Sequence, residues 1–501
     1  MTTSAPAAPT TTSPPSRSRL ILIMVSLVLA LVPVQLDGLV TATATPTIAG
    51  ELGGLADLAW VATAYLLTMA IGTIVAGRLG DMFGRKWMFL IALGVFFGAS
   101  AWAGFAGSMG GFIAARAAQG LGAGMTFTTL LATVADVVPA EKRARFQSIF
   151  GAIAPVSMIV GPWIGGIITD SLGWRWIFFF NLPLIALSIV GAAVLLRLPR
   201  RSRGGRVDVA GLFAIAGLSL GAVLAVSWGG HQYDWLSIQV IGAAIVALAG
   251  IVALVPIERR AQHPILSPDL FGNRSVLMSF IVMFLTMGAI MMASINFLPL
   301  FLQLVQGHSA SNSGLLLLPM LLPAIAVSLL IGAWTTRGSR FRSVIIAGSS
   351  ITTLSCILLA TMGTSTPVWT TSVYMVLVGA GIGMLFQTPL VLIQNTAPHH
   401  EVGAATGAAS FFRMLGGAIG VGGLGALFTG TIVSRVGGHG TSLDISSVTP
   451  AALDKLPDAA RQIVADAVTS GNSALFWAAA CAGAAAIVAA LLIPRRQAAT
   501  E

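Results

Sequence analysis

A chain of 501 residues would ordinarily divide into two or three soluble domains, but 56% of this one is hydrophobic and only 9% is charged, which excludes a water-soluble globular balance. The formal net charge of +10 points at first to a polyanionic partner. The 27 basic residues, however, lie in short connectors between apolar runs without interleaved aromatics, which favours a membrane topology over a nucleic-acid surface.

In chain order, the first fifteen or so residues, rich in Ala, Pro, Ser and Thr, read as a disordered tail ending near residue 19. The first apolar run begins at Leu20, behind Arg17 and Arg19. It is too long for the h-region of a signal peptide and carries Asp37 near its end, so an uncleaved first helix is expected. Crossing the hydrocarbon core takes about 20 apolar residues. Runs of that length predict spans at 20–41, 59–79, 87–106, 111–134, 147–170, 176–196, 208–228, 238–257, 276–302, 314–334, 344–362, 369–393, 403–430 and 473–493. The run 276–302 has the length to continue past the lipid. Cys356 and Cys481 each fall inside an apolar run and read as buried small hydrophobes, so neither a disulfide framework nor a metal set is expected.

Fourteen spans with both termini inside place 21 of the 27 basic residues in inner connectors. These are Arg17 and Arg19; Arg78, Arg85 and Lys86; Lys142, Arg143 and Arg145; the five arginines between Arg197 and Arg206; Arg259, Arg260 and Arg274; Arg337, Arg340 and Arg342; and Arg495 and Arg496. A missed span would invert every later connector and spoil this asymmetry. The basic connector 197–207 is expected to tie two bundles together and meet anionic head groups. The outer connector 435–472 contains a stretch, 450–468, that reads as one or two short amphipathic helices capping the outer mouth, with a solvated loop as the alternative. The fold expected is all-α. A six-helix bundle at 20–196 is followed by a basic linker with two inserted helices at 197–275, a second six-helix bundle at 276–493 including the outer connector, and a tail at 494–501. A weak echo between Gly77–Arg85 and Gly332–Arg340, in register at an offset of 255 residues, fits two related halves.

The sharpest motif is Gly77-x-x-x-Asp81-x-x-Gly84-Arg85-Lys86, between the second and third spans. Its glycines permit a tight turn and close approach to neighbouring helices. Asp81 can cap the third helix or offer its charge to another helix N-terminus, and Arg85 and Lys86 anchor the inner surface; a simple charged turn is the bland alternative. This spacing resembles the signature loop of the major facilitator superfamily. Leu36-Asp37 with Ala44-Thr45-Pro46 is similar to the first-helix signature of its fourteen-span drug exporters (EmrB/QacA type), with Leu39 and Thr45 replacing the usual Thr and Leu. Arg116-x-x-Gln119-Gly120-x-Gly122 resembles the fourth-helix motif, and Gly161-Pro162-x-x-Gly165-Gly166 the fifth-helix antiporter motif. Trp174-Arg175-Trp176 through Asn181 and Pro183 resembles the stretch that follows, and Phe411-Phe412-Arg413 through Gly420 a recurrent stretch of the thirteenth helix.

The residues also carry physical readings of their own. Gly120 and Gly124, and Gly161 and Gly165, form small-x-x-x-small pairs that let helices touch, while Pro155 and Pro162 can bend the fifth helix. Asp37 lies ~6 Å below the outer end of its span and Arg116 ~8 Å below the same side, at 1.5 Å per residue. The two can share a depth, either as a proton path or as a structural ion pair. Arg413, ~15 Å from the inner surface on the same arithmetic, can meet an anionic group in a substrate cavity or pair with backbone carbonyls. Gly420-x-Gly422-x-x-Gly425 follows no strand and reads as helix packing. Adjacent side chains diverge, so His399-His400-Glu401 reads as an inner loop and no metal site. Asp136 and Asp170 read as helix-end residues satisfied by termini and solvent. Met287, Met291, Met292, Phe297 and Phe301 either line a greasy cavity or simply pack.

The resemblance implies proton-coupled efflux of hydrophobic or amphiphilic compounds, as in multidrug or antibiotic export, by alternating access in a bacterial inner membrane. The monomer is the expected unit, with both termini cytoplasmic. In that reading Asp37 takes part in proton coupling and Arg116 tunes it; Gly77, Asp81, Gly84, Arg85 and Lys86 form a conformational switch; and Gly161, Pro162, Gly165 and Gly166 pack the interface between the halves. The partners are protons, membrane lipids and a small-molecule substrate, with no cofactor, metal or nucleic acid. Between the ninth and thirteenth spans Glu401 is the sole acid, so neutral or amphiphilic substrates are at least as plausible as polycations. An exporter of lipid or of an endogenous metabolite is the alternative. A membrane enzyme would need clustered polar groups, whereas the six histidines are scattered through loops, and a non-transporting receptor is the remaining class.

Overall fold

The computed structural model describes residues 17–52, 58–138, 140–196, 208–230, 233–261, 266, 268–306, 317–334, 340–398, 401–437 and 458–495. The first part contains α1 (Arg17–Leu52), α2 (Leu58–Phe83), α3 (Arg85–Gly104), α4 (Met109–Val137), α5 (Ala140–Ser171), α6 (Arg175–Leu195), α7 (Val209–Trp228) and α8 (Ile238–Arg260). There follow a short α9 (Pro268–Gly272), α10 (Arg274–Leu285), a π-helical segment (Thr286–Met291), α11 (Met292–Asn296) and α12 (Leu298–Leu304). The remainder is α13 (Leu318–Trp334), α14 (Phe341–Ala360), α15 (Val368–Leu385), α16 (Thr388–Thr396), α17 (Val402–Gly437) and α18 (Asp458–Leu491). Among the described residues there is no strand, and Gly229 and Tyr233 form an isolated bridge. Eleven helices are long and apolar enough to cross a membrane, and two shorter apolar helices cover Ala210–Val226 and Leu318–Trp334. The protein is therefore an all-helical, multi-pass membrane protein.

Helix boundaries depart from the hydropathy boundaries because hydropathy reports where lipid is the solvent, whereas a helix continues wherever its i→i−4 bonds can form. Thus α1 runs on to Leu52, about three turns beyond the expected end at residue 41. At the connector expected over 435–472, helix extends in from both sides among the described residues, to Gly437 and from Asp458. Residues 458–472, in place of separate short amphipathic helices, form the opening turns of the 34-residue α18, while 450–457 lie outside the described residues. Two expected single helices are interrupted. The run 276–302 passes into π geometry at Thr286–Met291 and breaks at Phe297, with Pro299 in the first turn of α12. The run 369–393 breaks at Phe386–Gln387, where Pro389 has no N–H to return to the preceding turn.

Helix neighbours repeat between the two parts of the chain. In the first, α4 packs on α2 and α3, α1 on α5 and α6, and α3 on α6. In the second, α15 packs on α13 and α14, the π segment on α17 and α18, and α14 on α18. The parts meet through α2 against α17 and α5 against α13, while α7 and α8 pack on each other and α7 also touches α2 and α17. Position decides how much of a span is covered: 83% of the most apolar stretch of α4 is buried, against 17% for α8. Lipid tails give apolar side chains no reason to leave them, so close van der Waals packing at small residues holds such helices together. Gly120 and Gly124 of α4 lie against the carbonyls of Tyr65 and Met69 on α2, leaving no room for a Cβ, and Gly379 of α15 lies in the same way against Met320 of α13. One apolar core runs through both parts and includes Leu31, Phe89, Leu130, Phe280, Leu390 and Phe411. Cys356 is buried as expected, but Cys481 is exposed on α18. An apolar run in lipid needs only one face inside the bundle, so membership of such a run does not establish burial.

Candidate functional site

Five helices converge on Asp37 of α1. Its side chain is buried, and so is that of Arg116 on α4, at 1% and 2% exposure respectively. Arg116 Nη1 donates to Asp37 Oδ2 and, at 2.7 Å, to Gln119 Oε1 one turn along. Gln119 Nε2 in turn donates to Asp37 Oδ1 at 2.8 Å and to Ser100 Oγ of α3 at 3.0 Å. Asn181 Nδ2 of α6 reaches Oδ1 at 3.4 Å. The Tyr65 ring of α2 lies 4.2 Å beneath the guanidinium. Asp37 and Arg116, which axial rise alone allows at one depth, pair directly. The arrangement has a chemical consequence, because Gln119 gives Arg116 a second acceptor to retain if Asp37 becomes protonated.

A second cluster lies at the opposite ends of α2 and α4. Gly84, at φ 97°, occupies the left-handed region where a Cβ is strained, so a single residue turns the chain from α2 into α3. Arg85 Nη2 donates to Asp81 Oδ1 at 2.9 Å, while Arg85 Nη1 donates to Asp136 at 2.8 Å and to the Ala132 carbonyl at 2.7 Å. Of the two roles open to Asp81, the structure selects the second. It accepts from the N–H groups of Gly403 at 3.2 Å and Ala404 at 2.8 Å, capping α17 rather than α3. Gly77 supports that contact, since a Cβ there would stand 2.5 Å from the Gly403 carbonyl and 3.0 Å from Gly407 Cα. Lys86 Nζ meets the Ala193 carbonyl at 2.5 Å. Asp136 is not merely a solvated helix end, because Arg85, buried against it, engages its carboxylate; the Asp170 side chain lies outside the described residues.

The sequence reading did not anticipate a polar layer beside this cluster. Gln147 Nε2 of α5 donates to Gln394 Oε1 of α16 at 2.5 Å, Gln394 Nε2 donates to Thr406 Oγ1 of α17 at 3.0 Å, and Arg143 donates to Asn395 Oδ1 at 3.0 Å. The available signal was an amide at the edge of each of two apolar runs, Gln147 opening 147–170 and Gln394 just past 369–393, where an unpaired polar group is costly once buried. Across the bundle, at the far end of α1, Glu51 accepts from Arg175 and from Trp174 Nε1, the latter at 2.6 Å. These bonds, Arg175 first, hold the Glu51 carboxyl below the usual carboxylate range.

The fifth-helix glycines sit differently from the expectation. Gly161 faces Leu39 of α1, 2.8 Å from where its Cβ would lie, within the first part of the chain, and Gly166 has open space. Gly165 is buried, and the Pro162 side chain lies outside the described residues. Contact with the second part falls instead to Gly151, where a Cβ would meet Gln387 and Ser328. Gly420 and Gly422 do pack, against Gly288 of the π segment and Val226 of α7. Arg413 of α17 is buried, with its guanidinium 4.8 Å from the Phe127 ring and 5.0 Å from the Phe386 ring, and its Nη1 has no hydrogen-bond partner. His399 and His400 lie outside the described residues. Among the described residues no group of three His, Cys, Asp or Glu side chains is arranged to hold a metal.

Residues 25–421 match the Major Facilitator Superfamily. The chain belongs to that family. It shares 34% identity over 454 residues with an uncharacterized MFS-type transporter of Mycobacterium tuberculosis, 90% of this chain and 66% of the relative. It thus spans just under two thirds of that relative's length. It is 34% identical over 412 residues to the multidrug transporter protein MdtP of Bacillus subtilis, covering 82% of this chain and 76% of the relative. With multidrug resistance protein 3 of the same organism the identity is 31% over 470 residues, 91% of each chain. The fold matches the proton:xylose symporter XylE at a TM-score of 0.61 with 16% identity, covering 94% of this chain and 95% of that one. The Asp37 and Asp81 clusters and the Gln147–Gln394 layer therefore lie on inter-helix contacts of the major facilitator fold.

Proposed function

We propose that this protein exports hydrophobic or amphiphilic small molecules in exchange for protons, by rocking of residues 20–196 against 276–493 with α7 and α8 inserted between them. The observation that carries the reading is the buried Asp37 carboxylate, paired with Arg116 while Gln119 offers the arginine an alternative acceptor. Protonation from the outer side neutralises Asp37 and leaves Arg116 on Gln119; the proton departs inward after the halves rock. Each inward proton contributes about 2.3 kcal/mol per 100 mV. Asp81 and the Gln147–Gln394 pair act at the other end, holding α17 and α16 against the first half while the inner side is closed. Gly77, Gly84, Arg85 and Lys86 serve that switch, and the close packing of α5 completes the seal.

The multidrug names of the two Bacillus relatives support drug or antibiotic efflux as the substrate class, and the motif resemblance supports the fourteen-span EmrB/QacA branch. In this reading the protein is a monomer in a bacterial inner membrane, with both termini and the Arg85 loop in the cytoplasm. The test is Asp37→Asn in proteoliposomes loaded with a fluorescent amphiphile. Asparagine keeps size and hydrogen bonding but cannot cycle a proton, so an imposed pH gradient is expected to lose its effect on export while binding survives. Export accelerated by the gradient to the wild-type degree would remove Asp37 from coupling and leave a structural ion pair.

A further inference from the structure

Arg413 has a chemistry that proton coupling does not use. The ion pairs described above join Arg85 with Asp81 and Asp136, Arg116 with Asp37, and Arg175 with Glu51. Arg413 is in none of them. The only acid between residues 275 and 437 is Glu401, twelve positions earlier on the chain and ~18 Å away along the helix axis at 1.5 Å per residue. A guanidinium 7% exposed, with Nη1 unpartnered, is an uncompensated charge in a low-dielectric interior, a situation that marks substrate or ion paths in membrane proteins.

The surroundings indicate what would compensate it. Phe127 comes from α4 and Phe386 from the end of α15, so the charge is clasped between aromatic residues of both halves. Phe386 is also part of the wall of a small cavity, together with Met291, Ile295, Met320, Leu321 and Ser328. Phe386–Gln387 is also where the expected twelfth span breaks, and discontinuous helices line substrate sites in transporters. Two more buried polar atoms at this break lack partners, Gln387 Oε1 and Ser328 Oγ, and both side chains border Gly151.

We propose that Arg413 is the headgroup seat for an anionic amphiphile, a carboxylate on an aromatic or alkyl body, with the body entering along Phe386 where rocking of the halves widens the small apolar cavity of about 20 Å³. The planar guanidinium, held by ring faces, presents N–H groups along its edge, which is the geometry a carboxylate takes in bidentate fashion. Ser328 Oγ–H supplies a further donor for polar substituents. The site combines residues of both halves, so rocking would open it toward one side and then the other. The proposal rests on the export reading and narrows its substrate class.

The probes are 1-naphthaleneacetate, its neutral amide and a naphthylmethyl trimethylammonium ion, titrated by calorimetry into the full-length protein in lipid nanodiscs without any gradient. The carboxylate is expected to bind about tenfold more tightly than the amide, or about 1.4 kcal/mol, and the cation more weakly than either. Arg413→Gln should abolish the carboxylate preference, and Arg413→Lys should retain part of it. Equal affinity of carboxylate and amide for the wild type, or a preference that survives Arg413→Gln, overturns the proposal. If Arg413→Gln does not yield folded protein, the three-probe comparison on the wild type and Phe386→Leu decides, with Phe386→Leu expected to weaken all three probes. Binding is read without transport, so export of neutral amphiphiles without carboxylate preference defeats this proposal alone. Carboxylate binding without gradient-driven export of any probe defeats the export reading alone.

Discussion

Replacing Asp81 by asparagine tests whether the contact between α2 and α17 sets the conformational equilibrium. Asp81 Oδ1 accepts from Arg85 Nη2 at 2.9 Å and from the Gly403 N–H at 3.2 Å, and Oδ2 accepts from the Ala404 N–H at 2.8 Å. Asparagine keeps one oxygen but turns a donor toward donors at the other position and removes the charge at the helix N-terminus. A hydrogen bond to a charged group contributes about 1.5–3 kcal/mol and a charge at a helix terminus about 0.3–1 kcal/mol. The Asp81 side chain is only 5% exposed, so water screens little of this. With partial retention through the remaining oxygen, the α2–α17 contact should lose about 2 kcal/mol, roughly a thirtyfold change in the ratio of states with it made to states with it broken. Spin labels at Phe83→Cys and Arg340→Cys, in a Cys356→Ser/Cys481→Ser background, would report this as a longer inter-label distance by double electron–electron resonance. Unchanged distance distributions together with unchanged transport would reduce Asp81 to a turn residue.

Other outcomes follow from the same geometry. Asp37→Asn leaves a buried guanidinium without its counter-charge, an error that costs about 3–5 kcal/mol. The double variant Asp37→Asn/Arg116→Gln should therefore melt at a higher temperature than the single one, yet remain uncoupled from the pH gradient; no recovery in the melting curve would argue against the ion pair. Gly77→Ala forces a Cβ to 2.5 Å from the Gly403 carbonyl, whereas Gly166→Ala meets nothing within 4 Å. The first should impair transport and the second should be tolerated with a helix-propensity gain of up to about 1 kcal/mol, and the reverse order in a transport assay would contradict the packing. Glu51 is held below its ordinary value, so its folded-state contribution is complete above the unfolded pKa, about 4.3, and is lost as pH falls through the lower folded value. The Trp174 emission, taken as wild type minus Trp174→Phe, should stay constant from pH 7 to 5, and a transition in that window would refute it. An impermeant thiol reagent on intact cells should label Leu236→Cys but not Lys142→Cys, and the opposite pattern would invert the topology.

The sequence by itself determined that lipid is the solvent. The same residues show that the chain crosses that lipid many times and that Asp37, Arg116 and Arg413, ionisable inside apolar runs, each need an answering group there. Counting residues along two helices was enough to bring Asp37 to the depth of Arg116, since axial rise is a local property. Facing is not local, and it was decided by tertiary structure. Whether Asp81 caps its own helix or α17 depends on where α17 starts in space, 322 positions away in the chain. Gly161 meets Leu39 and not the second half for the same reason, and Cys481, apolar on every side in sequence, lies on the outer face of α18. The pairing of Gln147 with Gln394 and the placing of the break at Gln387 beside Arg413 were likewise not local: the amides and Pro389 stand in the sequence, but which group each one faces depends on how the helices pack. Only packed helices show which polar groups are answered, and that Arg413 Nη1 is not.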